Sequence, residues 1–233
     1  MEDVPRKQRK DLMIVGFLGQ SESGKDTASD YLVKKHDFVK IAFADVMKRI
    51  AKEVYDFSDN QLWGPQEEKN KQDMRYPVEG KGFLSPRTAL QFLGTEVGRG
   101  IWEDTWAACT LRAAKKVLAG ESSYDKVKGL QPNSFPWLTS KPSGVVISDV
   151  RFPNEVKCIH GVGGVVIRLK RAGKDGTIVG GIQGHASESL MKGIPDSDLD
   201  GVIDVPEGID NFHKAILATM MKIPTLVKGL DLR

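Results

Sequence analysis

An apolar run followed by a glycine-framed polar loop decides the fold of this chain. The run is LMIVGF, residues 12–17, and the loop is GQSESGK, residues 19–25. A short apolar run bounded by charge and glycine is typical of a buried parallel strand. After the loop, Ala28, Tyr31 and Leu32 indicate a helix. The sequence therefore predicts a strand, a tight loop and a helix, in that order.

This order of elements is the one that phosphate binding requires. Glycines allow a tight turn with inward-pointing amide N–H groups, and the helix N-terminus adds partial positive charge. Lys25 is expected to reach the β- and γ-phosphates of a nucleotide. A structural glycine turn is the alternative, but the position directly after the first strand favours phosphate. The expected phosphate-binding residues are Gly19, Ser21, Ser23, Gly24, Lys25, Asp26 and Thr27.

The residue after Lys25 departs from the usual pattern. It is Asp26, where a serine or threonine hydroxyl normally binds Mg²⁺, and Thr27 follows it. Asp26 can bind the ion directly or through water, or Thr27 can take over part of the phosphate contact. The sequence leaves both arrangements open, with Asp26 as a candidate metal ligand.

A second carboxylate follows another apolar run. Asp149 ends the run Val145–Ser148, and a carboxylate at the end of a neighbouring strand commonly holds the Mg²⁺ of a phosphate loop. Arg151 can bind an acceptor phosphate through both arms of its guanidinium group. Glu155 can orient that arginine or contact the sugar or base of the acceptor. The alternative is a strand-end turn with a surface ion pair.

Further apolar runs complete the predicted sheet. Strand candidates are residues 12–17, 38–43, 144–149, 164–169 and 202–205. Val46, Ile50 and Val54 predict the apolar stripe of a helix after the second strand. Strands that alternate with helices indicate an α/β fold with a parallel, doubly wound sheet.

A helix that begins at Ser85-Pro86 is predicted to have two distinct faces. The apolar face carries Ala89, Leu93 and Val97, and the polar face carries Arg87, Gln91, Thr95 and Arg99 at i, i+4 spacing. The polar face is either an ordinary solvated surface or a surface that faces a ligand. Gly94 and Gly98 each cost about 1 kcal/mol inside a helix, which indicates that something packs closely against them.

Three segments are predicted to be irregular. Residues 56–82 are polar and rich in proline and glycine, and we expect a mobile insertion or flap. Residues 121–143 are rich in serine, proline and lysine, and residues 170–184 are glycine-rich and basic.

The composition argues against several classes of protein. The 233 residues suit one large α/β domain, and 34 basic against 31 acidic residues leave a net charge of +3. This balance gives no general attraction to nucleic acid or to a membrane. A basic N-terminal cluster is expected to be a solvated tail: Arg6, Lys7, Arg9 and Lys10.

The cysteine content indicates a reducing compartment, and the lengths of the apolar runs argue against a membrane span. Cys109 and Cys158 form no C-x-x-C pair, so neither a zinc site nor a disulfide framework is indicated. No apolar run is long enough to span a membrane, and no signal region follows the charged N-terminus. We therefore expect a cytoplasmic protein, in the host cytoplasm if the source is a virus.

Several motifs in this order resemble the phage-type deoxynucleoside monophosphate kinases, a family of P-loop nucleoside monophosphate kinases. The matching segments are Gly24–Thr27, Leu90–Arg99, Trp106, Ser148–Glu155 and His185–Glu188. They cover the chain from about Leu12 to Leu190.

The resemblance implies a P-loop three-layer fold with a central parallel five-stranded sheet. One kinase domain would span residues 1–233, with its core at 11–58, 140–170 and 200–225. The acceptor-binding region would be at about 59–120 and the ATP lid at about 170–186. Lys170, Arg171 and Lys174 are either solubilising charges or cations that close over ATP, and we expect the latter for Arg171. His185 is not proposed as a base.

The implied reaction uses ATP and Mg²⁺ to phosphorylate a deoxynucleoside monophosphate. Expected catalytic residues are Lys25, Asp149, Arg151 and Arg171, and expected metal ligands are Asp26 and Asp149. Expected acceptor-binding residues are Arg87, Gln91, Arg99, Trp106, Arg151 and Glu155. The expected partners are small nucleotides rather than nucleic acid or membrane, and a homodimeric state stays open.

Two other functions compete with this one. Another small-molecule P-loop kinase, acting on dephospho-coenzyme A or phosphomevalonate, would share the phosphate loop. A nucleotide-dependent switch would bind ATP and hydrolyse it slowly without any acceptor. Arg151 and the basic segment after the fourth strand argue against a switch.

Overall fold

The computed structural model describes residues 13–171 and 193–227. Its strands are β1 Ile14–Leu18, β2 Phe38–Ile41, β3 Pro77–Val78, β4 Gly82–Phe83, β5 Ser122–Asp125, β6 Gly129–Pro132, β7 Gly144–Val150, β8 Val165–Lys170 and β9 Gly201–Asp204. Its α-helices are α1 Lys25–His36, α2 Ala44–Tyr55, α3 Asp59–Trp63, α4 Gln66–Asn70, α5 Pro86–Phe92, α6 Thr105–Leu118, α7 Pro153–Gly161, α8 Ile209–Met220 and α9 Pro224–Val227. A π-helix, Leu93–Arg99, follows α5, and a 3-10 turn spans Asp196–Asp198.

Five of the strands form one parallel sheet in the order β2-β7-β1-β8-β9. All five predicted strands are present in it. Apolar clusters cover both faces: one includes residues of α6 and α7, and the other residues of α1 and α8. Burial on both faces explains why β1 and β7 read as continuous apolar runs. The predicted α/β fold class is confirmed, and the arrangement is consistent with a P-loop nucleoside monophosphate kinase fold.

Helix α2 forms where Val46, Ile50 and Val54 predict a helix, but it buries only part of that apolar stripe. Ile50 and Val54 are exposed, while Asp45 and Ala51 are buried. The inward position of Asp45 is possible because its carboxylate accepts hydrogen bonds from the Ala42 backbone and from two aromatic side chains. The predicted helix is thus confirmed, and Val46 packs against the apolar cluster that includes α6 and α7, while Ile50 and Val54 point outward.

Residues 56–82 are not the irregular flap that their composition predicts. They form α3, α4 and the antiparallel pair β3–β4. Phe57 and Leu62 are buried in a small third core with Ala51 and Ala89. Ser58 caps α3 by accepting the backbone N–H of Gln61. Residues 121–143 also contain regular structure, because β5 and β6 pair as an antiparallel hairpin.

The helix predicted from Ser85 changes type at Leu93 and continues as a π-helix. As a result, Gly98 is buried and Val97 is exposed, which corrects the predicted apolar stripe. A Cβ atom on Gly98 would lie 2.1 Å from the Trp106 ring, and one on Gly94 would lie 3.0 Å from the Met47 sulfur. The expected close packing against both glycines is thus present, and side chains of the protein provide it.

Some expectations fall on residues outside the described ranges. These are the N-terminal basic cluster, Lys174, His185 and most of the predicted lid. In residues 13–171 and 193–227, no helix is long and apolar enough to cross a membrane.

Candidate active site

The phosphate loop lies between the end of β1 and the start of α1, as predicted. Gly24 directly precedes α1 with a left-handed backbone (φ 100°), and Glu22 is also left-handed (φ 59°). A Cβ atom on Gly19 would lie 2.5 Å from the Ser23 hydroxyl and 2.7 Å from the Leu169 carbonyl oxygen. The loop therefore has the tight, glycine-dependent geometry in which amide groups and a helix N-terminus can receive phosphate.

Lys25 lies folded across this loop. Its Nζ donates to the carbonyl oxygens of Gly19 (2.7 Å) and Gln20 (2.5 Å). Burial and, less strongly, the charge of Arg151 lower the pKa of Lys25 to about 8, against the opposing charges of Asp26 and Asp149. Nζ also donates to the Ser23 hydroxyl at 3.4 Å. A desolvated cation held by neutral oxygen atoms of the loop is suited to binding an anion such as a nucleotide phosphate.

Asp26 and Thr27 both lie exposed in the first turn of α1. The Asp26 carboxylate forms an ion pair with Lys40 of β2 at 2.8 Å. Burial opposes ionisation of Asp26, but the hydrogen bond and charge of Lys40 outweigh it, and the pKa of the carboxyl is lowered. Asp26 is therefore a charged, accessible oxygen donor beside the phosphate loop.

Asp149 connects the end of β7 to the start of α2. Its two carboxylate oxygens accept the backbone N–H groups of Phe43 (2.8 Å) and Ala44 (3.0 Å). Burial raises the pKa of Asp149, and those N–H groups and the charge of Arg151 oppose the rise. Asp149 also acts electrostatically on Lys25, so the structure brings together three predicted residues: Lys25, Asp149 and Arg151.

A Mg²⁺ ion of the kind predicted fits the oxygen donors at this place. Among the residues that the structure describes, no group of three or more His, Cys, Asp or Glu side chains could hold a metal by itself. Mg²⁺ in nucleotide sites keeps several waters and uses one or two carboxylates plus phosphate oxygens. Asp26 and Asp149 both act on Lys25 and meet that requirement.

Glu155 acts on the backbone of Arg151. One carboxylate oxygen accepts the N–H groups of Arg151 (2.7 Å) and Phe152 (3.0 Å), at the start of α7. Burial raises the pKa of Glu155 to about 7 against the effect of these hydrogen bonds. The Arg151 side chain is exposed. Of the two roles that the sequence suggested for Glu155, its contacts match orientation of the arginine.

Arg99 and Trp106 connect the π-helix to its neighbours. The Arg99 guanidinium lies 3.8 Å above the centre of the Phe152 ring and donates to the Asn154 side chain at 2.9 Å. Trp106 is buried and donates from Nε1 to the Gly94 carbonyl oxygen at 2.8 Å. Trp106 thus packs inside the protein in this structure, where the sequence suggested contact with an acceptor.

Arg87 lies where the insertion contacts the phosphate loop. It donates to Asn70 (2.5 Å) and to Gln66 at the two ends of α4. Gln66 in turn donates to the Ser21 hydroxyl of the phosphate loop at 3.3 Å. Gln91, one turn further along α5, is half-buried. The predicted acceptor region and the phosphate loop are therefore in direct contact.

Arg171 reaches the phosphate loop from the end of β8. Its guanidinium donates to the Glu22 carbonyl oxygen at 3.4 Å. This places a cation beside the loop, as expected for a residue that neutralises phosphate charge.

Three further lysines near the site were not predicted from the sequence. They are Lys48 on α2, Lys69 on α4 and Lys126 between β5 and β6, and their charges act on one another. Lys48 follows Ala44, the residue that binds Asp149, by one helical turn, and this spacing could have identified it. Lys69 and Lys126 lie in segments that composition predicted to be irregular.

Comparison with known proteins adds one relative of similar length. No protein-family model matches the chain. It is 29% identical over 217 residues to a protein of Acanthamoeba polyphaga mimivirus named "Putative deoxynucleotide monophosphate kinase". The alignment covers 89% of this chain and 95% of the viral protein. The similarity therefore extends over most of the chain, and it supports a kinase of this kind.

Proposed function

We propose that this protein transfers the γ-phosphate of ATP, bound with Mg²⁺, to the phosphate of a deoxynucleoside monophosphate. The observation that carries the proposal is the phosphate loop with Lys25 folded across it, beside Asp149 and Arg151. The name of the mimivirus relative supports the same class of acceptor.

The chemistry requires positioning and charge neutralisation. An oxygen of the acceptor phosphate forms a bond to the γ-phosphorus, and the bond from that phosphorus to the β–γ bridging oxygen breaks, so that ADP leaves. The acceptor phosphate is already ionised at neutral pH, and no side chain has to remove a proton from it. The residues of the site contribute by holding both phosphates in line and by balancing their charge.

Each charged residue of the site has a distinct part in this proposal. Lys25 exchanges its loop carbonyl partners for the β- and γ-phosphates, and Arg171 balances charge from the side of Glu22. Arg151 binds the acceptor phosphate, with its backbone held by Glu155. Asp26 and Asp149 would hold Mg²⁺, which when bound neutralises charge on the β- and γ-phosphates.

Acceptor-dependent ADP release tests the proposal. The purified protein with MgATP is measured against dAMP, dGMP, dCMP, dTMP, the ribonucleotides, dephospho-coenzyme A, phosphomevalonate and no acceptor. We expect release that depends on one or more deoxynucleotides. Lys25→Met should lower kcat by roughly 100-fold or more, because an electrostatic contact to the transferred group is lost.

Lys35→Met is the matched control, since Lys35 is exposed near the other end of α1. It should keep the wild-type rate. Release that is equally fast without any acceptor would point to a nucleotide-dependent switch. Release that responds only to dephospho-coenzyme A or phosphomevalonate would identify a different kinase.

The proposal extends to the organisation of the chain. We assign residues 59–120 to the acceptor side and about 170–186 to an ATP lid within one kinase domain of 233 residues. A location in the cytoplasm, the host cytoplasm for a viral protein, and a homodimeric state remain predictions to be tested separately.

A further inference from the structure

Four cationic side chains from four separate elements converge on one side of the phosphate loop. They are Lys48 of α2, Lys69 of α4, Arg87 of α5 and Lys126 in the turn between β5 and β6, and we call them the cation cluster. The charges of Lys48, Arg87 and Lys126 all act on Lys69, and Lys126 also acts on Lys48. The charge of Asp26, in the first turn of α1, acts on both Lys48 and Lys69, so the cluster lies near the phosphate loop.

The β5–β6 hairpin is held over α2 by polar contacts that fix its turn. The Tyr124 hydroxyl donates to the buried Asp45 carboxylate at 3.0 Å. Arg49 donates to the Tyr124 oxygen at 3.3 Å and to the Lys126 carbonyl oxygen at 3.0 Å. The contact with the Lys126 carbonyl oxygen holds the backbone of the residue whose side-chain charge belongs to the cluster. The fold therefore fixes the backbone position of Lys126, although its side chain is exposed.

The other members of the cluster are equally well positioned. Trp63 donates from Nε1 to Asp45 at 3.1 Å, and the Lys48 ammonium lies 5.7 Å from the centre of the Trp63 ring. Arg87 binds Asn70 and Gln66, which flank Lys69 on α4. One buried carboxylate, Asp45, thus joins α2, the insertion and the hairpin at the base of the cluster.

The cluster concentrates positive charge at a partly buried place beside the phosphate loop. Burial lowers the pKa of both Lys48 and Lys69, and for Lys69 the neighbouring cations lower it further. Like charges brought together out of water destabilise the charged forms of one another. The charges of Asp45, Asp149 and Asp26 oppose this fall in pKa at Lys48, and the charge of Asp26 opposes it at Lys69. A dianionic phosphate ester would complement the four positive charges of the cluster.

We propose that the β5–β6 hairpin is part of the acceptor site, and that Lys126 completes a cation cluster with Lys48, Lys69 and Arg87 that binds the phosphate of the acceptor. This inference rests on the proposed function and extends it, because it assigns a binding role to a hairpin far along the chain from the insertion. Tyr124 is a positioning residue for Lys126.

Steady-state kinetics on the full-length protein test the role of Lys126. We expect Lys126→Gln to raise the KM for the deoxynucleoside monophosphate roughly tenfold, the value of one charge-assisted contact, with the KM for ATP unchanged. Lys128→Gln is the matched control, because Lys128 is exposed in the same turn and does not belong to the cluster. An acceptor KM that is the same in both variants would overturn the proposal.

Tyr124→Phe tests the positioning role. The change removes the hydroxyl that contacts Asp45 and Arg49 but keeps the ring. We expect a higher acceptor KM with kcat and the KM for ATP retained. A merely structural role would lower activity with every parameter affected or leave all of them unchanged, and either result would contradict positioning.

Direct binding separates this inference from the proposed function. Calorimetric titration with inorganic pyrophosphate compares wild type with the double variant Lys69→Gln/Lys126→Gln, in the presence of a saturating non-hydrolysable ATP analogue that occupies the phosphate loop. If the protein phosphorylates deoxynucleotides and the cluster variants have wild-type acceptor KM values, the cluster assignment fails and the proposed function stands. If no acceptor is phosphorylated and pyrophosphate binding still depends on the cluster, the proposed function fails and the anion site stands.

Discussion

Replacing Glu155 by glutamine tests how strongly burial penalises the charge of the carboxylate that holds the Arg151 backbone. One oxygen of the buried Glu155 carboxylate accepts two backbone N–H groups, those of Arg151 and Phe152. Desolvation raises the pKa of Glu155 from 4.5 to about 7. A glutamine side chain keeps one oxygen for both N–H groups but carries no charge.

The raised pKa makes stability depend on pH in a defined window. Because the folded protein binds this proton more tightly than the unfolded chain, folding takes up a proton between pH 4.5 and about 7. The stability contributed by protonated Glu155 is complete below the lower value and is lost as the pH rises through the upper one. At about 1.4 kcal/mol for each pH unit, the loss over this window is about 3 kcal/mol.

Urea unfolding of wild type and Glu155→Gln from about pH 4 to about pH 8 measures this difference. We expect the two proteins to have similar free energies of unfolding at the acidic end and the variant to be more stable by about 3 kcal/mol at the basic end. Glu53→Gln, at an exposed position on α2, should follow the wild-type curve. A Glu155→Gln curve that stays parallel to wild type would refute the role of desolvation.

Two further predictions use pairs of glycines. Gly98→Ala should lower the free energy of unfolding by about 2 kcal/mol, because the new Cβ would lie 2.1 Å from the Trp106 ring. Gly100→Ala is the control, because its new Cβ would have its nearest contact at 3.9 Å. It should leave the free energy of unfolding unchanged or raise it by up to about 1 kcal/mol. Equal melting temperatures for the two variants would contradict this account of the π-helix. Gly19→Ala should weaken ATP binding at least tenfold, measured by calorimetry, because the phosphate loop cannot accommodate a side chain there. Gly161→Ala, whose Cβ would meet nothing within 4 Å, should bind ATP as wild type does, and equal affinities in the two variants would show that the loop is not the nucleotide site.

The parallel sheet and the phosphate loop could be predicted because their signals are local in sequence. A strand covered on both faces has to be apolar at nearly every position, as in β1 and β7. A tight phosphate loop has to carry glycines where a Cβ atom would collide, as at Gly19. Each requirement is met within a few consecutive residues and can be read without knowledge of the tertiary structure.

The π-helix and the β5–β6 hairpin could not be predicted because contacts distant in sequence determine them. Gly98 is explained only by the indole of Trp106 beneath it. The hairpin strands are short and polar, and their position depends on the bond from Tyr124 to Asp45. Local composition shows neither of these partners, so the change to a π-helix and the presence of the hairpin lie beyond a local interpretation of the sequence.

Helix α2 shows why the failures of sequence reasoning concentrate near the site. Asp45, Lys48 and Arg49 share one face at i, i+3 and i+4 spacing, and this face meets the insertion and the hairpin. Amphipathic patterning predicted the helix itself correctly, but it assumes an apolar inward face and so does not show that Asp45 is buried while Ile50 and Val54 are exposed. Local rules are expected to fail where a fold accommodates function. The start of α2 also donates to Asp149 at the end of β7, so this one helix connects a proposed metal ligand to Lys48 of the cation cluster.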